Sequence, residues 1–216
     1  MATGRHRATA GISVGEDDIA RCWWSGDDAL YREYHDTEWA RPVDDDRRLF
    51  EKLCLEGFQS GLSWLTILRK RENFRKAFRG FDVEAVARFG SRSVDRLLGD
   101  AGIVRHRGKI EATINNARRC LELQRELGSL AGYVWGFEPE PASRPKRIDH
   151  PTLMGMTTSP EAKKLSVELK GRGWSFVGPT TVYSFMEAMG LVNDHLEGCD
   201  FRDVVEKARR AFRRPA

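Results

Sequence analysis

The chain has 216 residues, 40% hydrophobic and 31% charged, enough for one sizeable core under a solvated surface, in one domain or one domain with a smaller lobe. Lys and Arg number 36 against 32 Asp and Glu, a net charge of +4, which permits a nucleic-acid partner without requiring one. Four cysteines do not make a disulfide scaffold. With no apolar run of membrane-spanning length and no secretory pattern at the N-terminus, they point to a reducing cytoplasm and no membrane.

Residues 1–21 read as a disordered leader, because MATGRHRATAGISVGEDD holds no apolar core segment. Helical spacing is clear over 47–57, where Leu49, Phe50, Leu53 and Cys54 recur, and again at Trp64, Ile67 and Leu68. Further helices are expected over 82–90, 93–99, 106–127, 160–171, 179–190 and 201–212. Little of the chain alternates with period two, so any sheet is absent or small and the fold reads as all-α. The stretch 136–151, GFEPEPASRPKRIDHP, holds four of the eight prolines and reads as a long loop inserted within one fold. The tail KARRAFRRPA (207–216) is basic and reads as a fraying helix end.

Cysteine and histidine spacing raises the first chemical question. NDHLEGC places His195 and Cys199 within reach of one ion, and RCWWSGDDALYREYH supplies Cys22 and His35. Two thiolates and two imidazoles suit a tetrahedral zinc, and four protein ligands would fill its shell and make it structural. The two pairs lie far apart in the chain, so spacing alone leaves an incidental reading open. Cys54 and Cys120 fall in apolar helical patterns and belong to the core.

The segment LLGDAGIVRHRGKIEATINNA (97–117) reads as a short helix ending at Gly99, a tight turn at Ala101, Gly102 and Ile103, and a long helix from near His106. Glycine there lets the backbone approach another chain, and its N–H groups with the helix N-terminus suit a phosphate. Arg105, Arg107 and Lys109 would neutralise a nucleic-acid backbone, and Ile103 would pin the turn to the core. An ordinary helical corner with solvated charges remains the alternative.

In LEGFQSGLSW (55–64), Glu56 borders an apolar stripe and Trp64 follows a glycine-containing turn. Tyr31 and Tyr34 sit beside His35. Core packing for the aromatics and a surface ion pair for Glu56 are the bland readings. Taken together, flat aromatic faces with one carboxylate suit a positively charged purine.

The run from Cys22 to Cys199 resembles the type I 3-methyladenine DNA glycosylases of the helix-hairpin-helix superfamily. The matching segments are YHDTEW (34–39), LCLEGFQSGLSW (53–64), KRENF (70–74), DAGIVRHRGKI (100–110), FVGPTTVYSFMEAMGLVNDH (176–195) and Cys199. The resemblance implies a helix-hairpin-helix glycosylase-like helical domain over 22–200, with a lobe tied from both chain ends by a structural zinc on Cys22, His35, His195 and Cys199. A basic helix or tail would follow over 201–216. It implies a base pocket lined by Glu56, Tyr34 and Trp64, with Tyr31 nearby and no general base assigned. A DNA-gripping hairpin would span about 102–109, including Gly102, Arg105, Arg107, Gly108 and Lys109. Gly61 and Leu62 would enter the duplex beside a flipped nucleotide. The implied activity is monofunctional removal of 3-methyladenine from alkylated double-stranded DNA, with no obligate protein partner and no other cofactor. Trp23, Phe58, the leader and the proline-rich loop depart from the pattern and are expected to lie away from the site. A zinc-stabilised helical DNA-binding protein without catalysis is the main alternative. A zinc hydrolase or deaminase is disfavoured, because a catalytic zinc keeps an open position.

Overall fold

The computed structural model describes residues 9–215. It is mostly helical. In chain order the helices are α1 (Ala29–Thr37), α2 (Asp46–Gln59), α3 (Trp64–Ala77), α4 (Val83–Ala87), α5 (Ser91–Leu98) and α6 (Arg107–Leu127). They continue with α7 (Leu130–Trp135), α8 (His150–Gly155), α9 (Pro160–Gly171), α10 (Pro179–Ala188) and α11 (Arg202–Ala211). No described helix is long and apolar enough to cross a membrane.

The N-terminal expectation is corrected. Residues 1–8 lie outside the described residues, but 9–21 are ordered. Strand β1 (Ile12–Val14) pairs antiparallel with β2 (Ala20–Cys22), with Ile12 opposite Cys22. Arg21 is almost wholly buried and is shared by Asp17 and Asp36, each with an oxygen 2.8 Å from its guanidinium. Ala20 exchanges backbone and side-chain hydrogen bonds with Asp200. The order therefore comes from polar contacts with distant residues, which a search for apolar periodicity does not see.

Helix α2 is the centre of the molecule. Every residue from Leu49 to Phe58 is buried, and the helix packs against α3, α6, α7 and α10. A helix apolar all round is expected in such a place. This one also buries Glu51, Lys52 and Glu56, and buried charges need partners. Asp45 starts the helix by accepting from the Arg48 amide at 2.8 Å, a cap of the kind that contributes about 1 kcal/mol. Phe50 and Phe58 of α2 pack with Phe81 and Phe74, and Phe78 packs on Phe81, in the core.

The helix–turn–helix expected at 97–117 is present as α5, a turn and α6. The segment expected over 82–90 shortens to α4. Helices α1, α7 and α8 were not anticipated. Helix α7 has only six residues, and its first amides are held by a distant carboxylate, with Leu130 and Ala131 donating to Asp46 at 2.9 and 2.8 Å. The proline-rich stretch is a loop as expected, and it runs into α8.

Candidate active site

Three helix ends converge on one cavity of about 240 Å³. Asp28 caps α1 by accepting from the Tyr31 amide at 3.1 Å, which fixes the helix that presents Tyr31 and Tyr34. Ser63 caps α3, accepting from the Thr66 amide at 3.3 Å, and so sets Trp64 at the first helical position. The last turns of α2 bring Glu56. The Tyr34 and Trp64 rings are tilted, with centroids 5.4 Å apart, and Tyr31 stacks on Tyr34 at 6.4 Å. All four expected pocket residues line this one space.

Glu56 is only 5% exposed, so its side chain does not face open solvent. Its Oε1 lies 2.9 Å from Lys52 Nζ, one turn back on the same helix. Lys52 Nζ also donates to the Tyr34 hydroxyl at 2.9 Å and lies 3.1 Å from the Trp64 ring centroid. The ion pair considered for Glu56 thus exists, but inside the protein. Burial pushes the Glu56 carboxyl up, opposed by Lys52. Burial likewise brings the Lys52 ammonium down to about 8, opposed by Glu56. The Trp64 indole N–H is buried and has no partner.

Several lining residues went unnoticed in the sequence. Trp24 packs edge-on against Trp39 at 4.8 Å and lies 5.1 Å from Tyr31. Glu187 on α10 is a second carboxyl in the cavity wall, and burial, with Asp194 and Glu56 adding repulsion, pushes it well up. Trp23 also lines the cavity and meets His150 edge-on at 4.5 Å, while Leu153 and Met156 complete that side. The expectation that Trp23 lies away from the site is therefore corrected; the proline-rich stretch 136–151 lends no residue to the cavity lining, and it is the turn of α8 beyond it that does. Phe58 is core. Arg144 of that stretch reaches the buried Asp194, and Tyr183 donates to the same carboxylate at 2.6 Å, so the loop is anchored by charge.

Behind the cavity wall, Cys22, His35 and Cys199 are buried with their ligand atoms all within 4.8 Å of one another. His195 stands outside that trio. Its ring centroid is 4.9 Å from that of His35, and its Nε2 is buried without a partner. Asn193 takes its Nδ1 at 3.0 Å, and Asp36 takes His35 Nδ1 at 2.8 Å. Carboxylate and amide partners of this kind orient imidazoles toward a metal. Burial, then the nearby His35, holds His195 down at about 2, so it presents a neutral ring. Cys54 and Cys120 lie in the core as expected.

The hairpin differs in detail from its expected chemistry. Arg105 and Arg107 are exposed, and Arg107 is shared by Asp95 and Glu111 at 3.4 and 3.3 Å. Lys109 is not a surface cation: it is 7% exposed, and its Nζ donates to the Phe58 and Ser60 carbonyls at 2.8 and 2.5 Å. It clamps the end of α2 that leads into Gly61 and Leu62. The Gly102 amide donates to Asp100 at 2.8 Å, and the Lys109 amide to His106 at 3.2 Å, so neither is free for a phosphate. A Cβ on Gly102 would meet Asp100 at 2.9 Å and Asn73 at 3.2 Å; the close approach is to α3 of the same chain. At Gly108 a Cβ would meet the His106 ring at 3.3 Å. Ile103 is buried as expected. Gly61 has φ +81° with open space where a Cβ would stand, so glycine is favoured there by the turn and not by crowding, and Leu62 beside it is 45% exposed.

Residues 23–203 match the family model described as methyladenine glycosylase. The chain belongs to that family. It is 49% identical over 182 residues to DNA-3-methyladenine glycosylase 1 of Escherichia coli strain K12, spanning 84% of this chain and 96% of that protein. A solved 3-methyladenine DNA glycosylase I superposes with a TM-score of 0.78 at 46% identity, over 83% of this chain and 98% of that one. The Staphylococcus aureus enzyme, solved for the structural basis of 3-methyladenine recognition, also superposes at 0.78, with 37% identity over 84% of this chain and 96% of its own. The family match takes in the whole cavity, the hairpin, and His35, His195 and Cys199 of the cysteine–histidine cluster, and it begins one residue after Cys22.

Proposed function

We propose that this methyladenine glycosylase finds alkylated double-stranded DNA, extrudes 3-methyladenine and hydrolyses its glycosidic bond, leaving an abasic site. The observation that carries the reading is the cavity itself: a buried carboxylate, Glu56, lining the same space as the rings of Tyr34 and Trp64. Alkylation at N3 makes the purine cationic, so departure yields a neutral base and little acid assistance is required. The chain's task is then to find, unstack and hold the base, and a damaged base costs less to unstack. Stacking on Tyr34 and Trp64 contributes about 1–3 kcal/mol per base. Glu56 accepts from the adenine edge. Water attacks the sugar, and no side chain is assigned as general base.

The helix–turn–helix at α5 and α6 acts in this reading as the helix-hairpin-helix grip on the phosphate backbone, with Arg105 and Arg107 as its cations. Leu62, exposed beside Gly61, fills the space the flipped nucleotide leaves. Lys109 braces that loop from inside.

The four-residue cluster fits a structural zinc held by Cys22, His35, His195 and Cys199. The fit rests on two buried thiols, an oriented imidazole, and a second imidazole whose buried nitrogen lacks any partner. The ion would tie the N-terminal hairpin to the segment before α11 and would leave no open coordination position. One experiment tests the activity: incubate the protein with methylated DNA and analyse the freed bases. Release of 3-methyladenine is expected; DNA binding without release would favour a non-catalytic DNA-binding protein.

A further inference from the structure

The residue that touches Glu56, Tyr34 and Trp64 at once is not itself in the cavity lining. Lys52 Nζ lies 2.9 Å from Glu56, 2.9 Å from the Tyr34 hydroxyl and 3.1 Å from the Trp64 ring centroid, yet it is absent from the cavity lining. It approaches from a smaller space behind, shared with Glu38, Glu51, Arg48, Arg71 and Arg75. A base stacked in the cavity would meet Glu56, Tyr34 and Trp64 from one side while Lys52 holds them from the other.

The surrounding charges leave Lys52 as the counter-ion of Glu56. Glu38 is taken by Arg71 at 2.6 Å and Glu51 by Arg75 at 2.8 Å, and Arg48 is exposed. From α10 come Ser184 and Glu187, of which only Glu187 is ionisable, with Asp194 beyond it. From α1 come the hydroxyls of Tyr31 and Tyr34. An unpaired carboxylate this buried takes up a proton. A protonated Glu56 has lost the charge that favours a cationic purine and half of its accepting capacity.

We infer that Lys52 is a positioning residue that keeps Glu56 ionised and aimed for recognition of the damaged base. The inference rests on the glycosylase reading for its consequence, but the coupling between the two side chains does not. Lys52 fixes three groups at once: the carboxylate by charge, the tyrosine hydroxyl by donation, and the indole by a cation on its rear face. The cavity is therefore not a bare anionic slot. Its acid is neutralised from behind, and its affinity for a cationic base comes from geometry and stacking as well as charge.

The test uses the full chain and the variants Lys52→Met, Lys52→Gln and Lys52→Arg. Release of 3-methyladenine from methylated DNA is measured across the pH range in which the protein stays folded, and the Glu56 carboxyl is titrated by carbon-13 NMR. Lys52→Met and Lys52→Gln are expected to raise the Glu56 titration by about one pH unit or more and to move the acid limb of release up by the same amount, a loss of about tenfold below the new limb. Release should recover toward the native rate at high pH, and Lys52→Arg should restore the native limb. Parallel loss at every pH, with Glu56 titrating where it does in the native chain, would mark a merely structural role and overturn the inference. So would an unchanged Glu56 titration in both uncharged variants. A native chain that frees no base while Glu56 still shifts in the variants would uphold the coupling and overturn the glycosylase reading.

Discussion

At the scale of single residues, chemistry rests on a few side chains whose neighbours set their state. Trp64 offers a face and an unpartnered N–H, and stacking of this kind contributes about 1–3 kcal/mol. Trp64→Ala is therefore expected to slow single-turnover release of 3-methyladenine by roughly ten- to a hundredfold. Glu56→Ala should abolish release, because it removes the acceptor and strands the Lys52 ammonium in a buried site. Unchanged release by both variants would remove the pocket assignment. Most of these residues were visible in the sequence: Tyr34, Glu56 and Trp64 stand in runs that announce aromatic and acidic chemistry. Lys52 was not, although a lysine four residues before a buried glutamate on one helix is a readable pair. The missing knowledge was that α2 is buried on every side, and only its neighbours make it so.

At the scale of elements, the hairpin and the α2–α3 loop form one unit. Lys109, buried under the loop, shows how a cation that reads as a phosphate contact can serve as a clamp. Lys109→Met leaves the Phe58 and Ser60 carbonyls without their donor, and should weaken DNA binding through the loosened Gly61–Leu62 loop while leaving the salt dependence of binding as it was. Arg105→Ala should instead lower the slope of log affinity against log salt by about one. Equilibrium binding at several salt concentrations separates the two effects. The helix boundaries at α5 and α6 were legible because glycine and histidine punctuate them. The roles of the cations between them were not, because a side chain's direction depends on the element packed opposite.

At the scale of the whole molecule, the chain ends are brought together. Strand β2 supplies Cys22, α1 supplies His35, and the segment before α11 supplies His195 and Cys199. If zinc holds them, Cys199→Ser should lower Tm with little change in the rate of base release from folded protein. Each kcal/mol lost is worth about 2–4 °C in a domain of this size. A chelator should lower Tm in the same direction, and metal analysis of purified protein should find one zinc per chain. Zinc-free protein with an unmoved Tm would end the assignment. The proline-rich loop belongs to this scale too. It reads as an insertion, yet Arg144 ties it to Asp194, and the helix that follows walls the cavity.

What the sequence determined by itself is the helical character, the core stripes and the set of reactive side chains, because periodicity and residue chemistry are local properties of the chain. What only the tertiary structure decided is which charges are inside. Burial removes water from Glu56, Lys52 and Lys109 together, and each then takes the partner that packing places beside it.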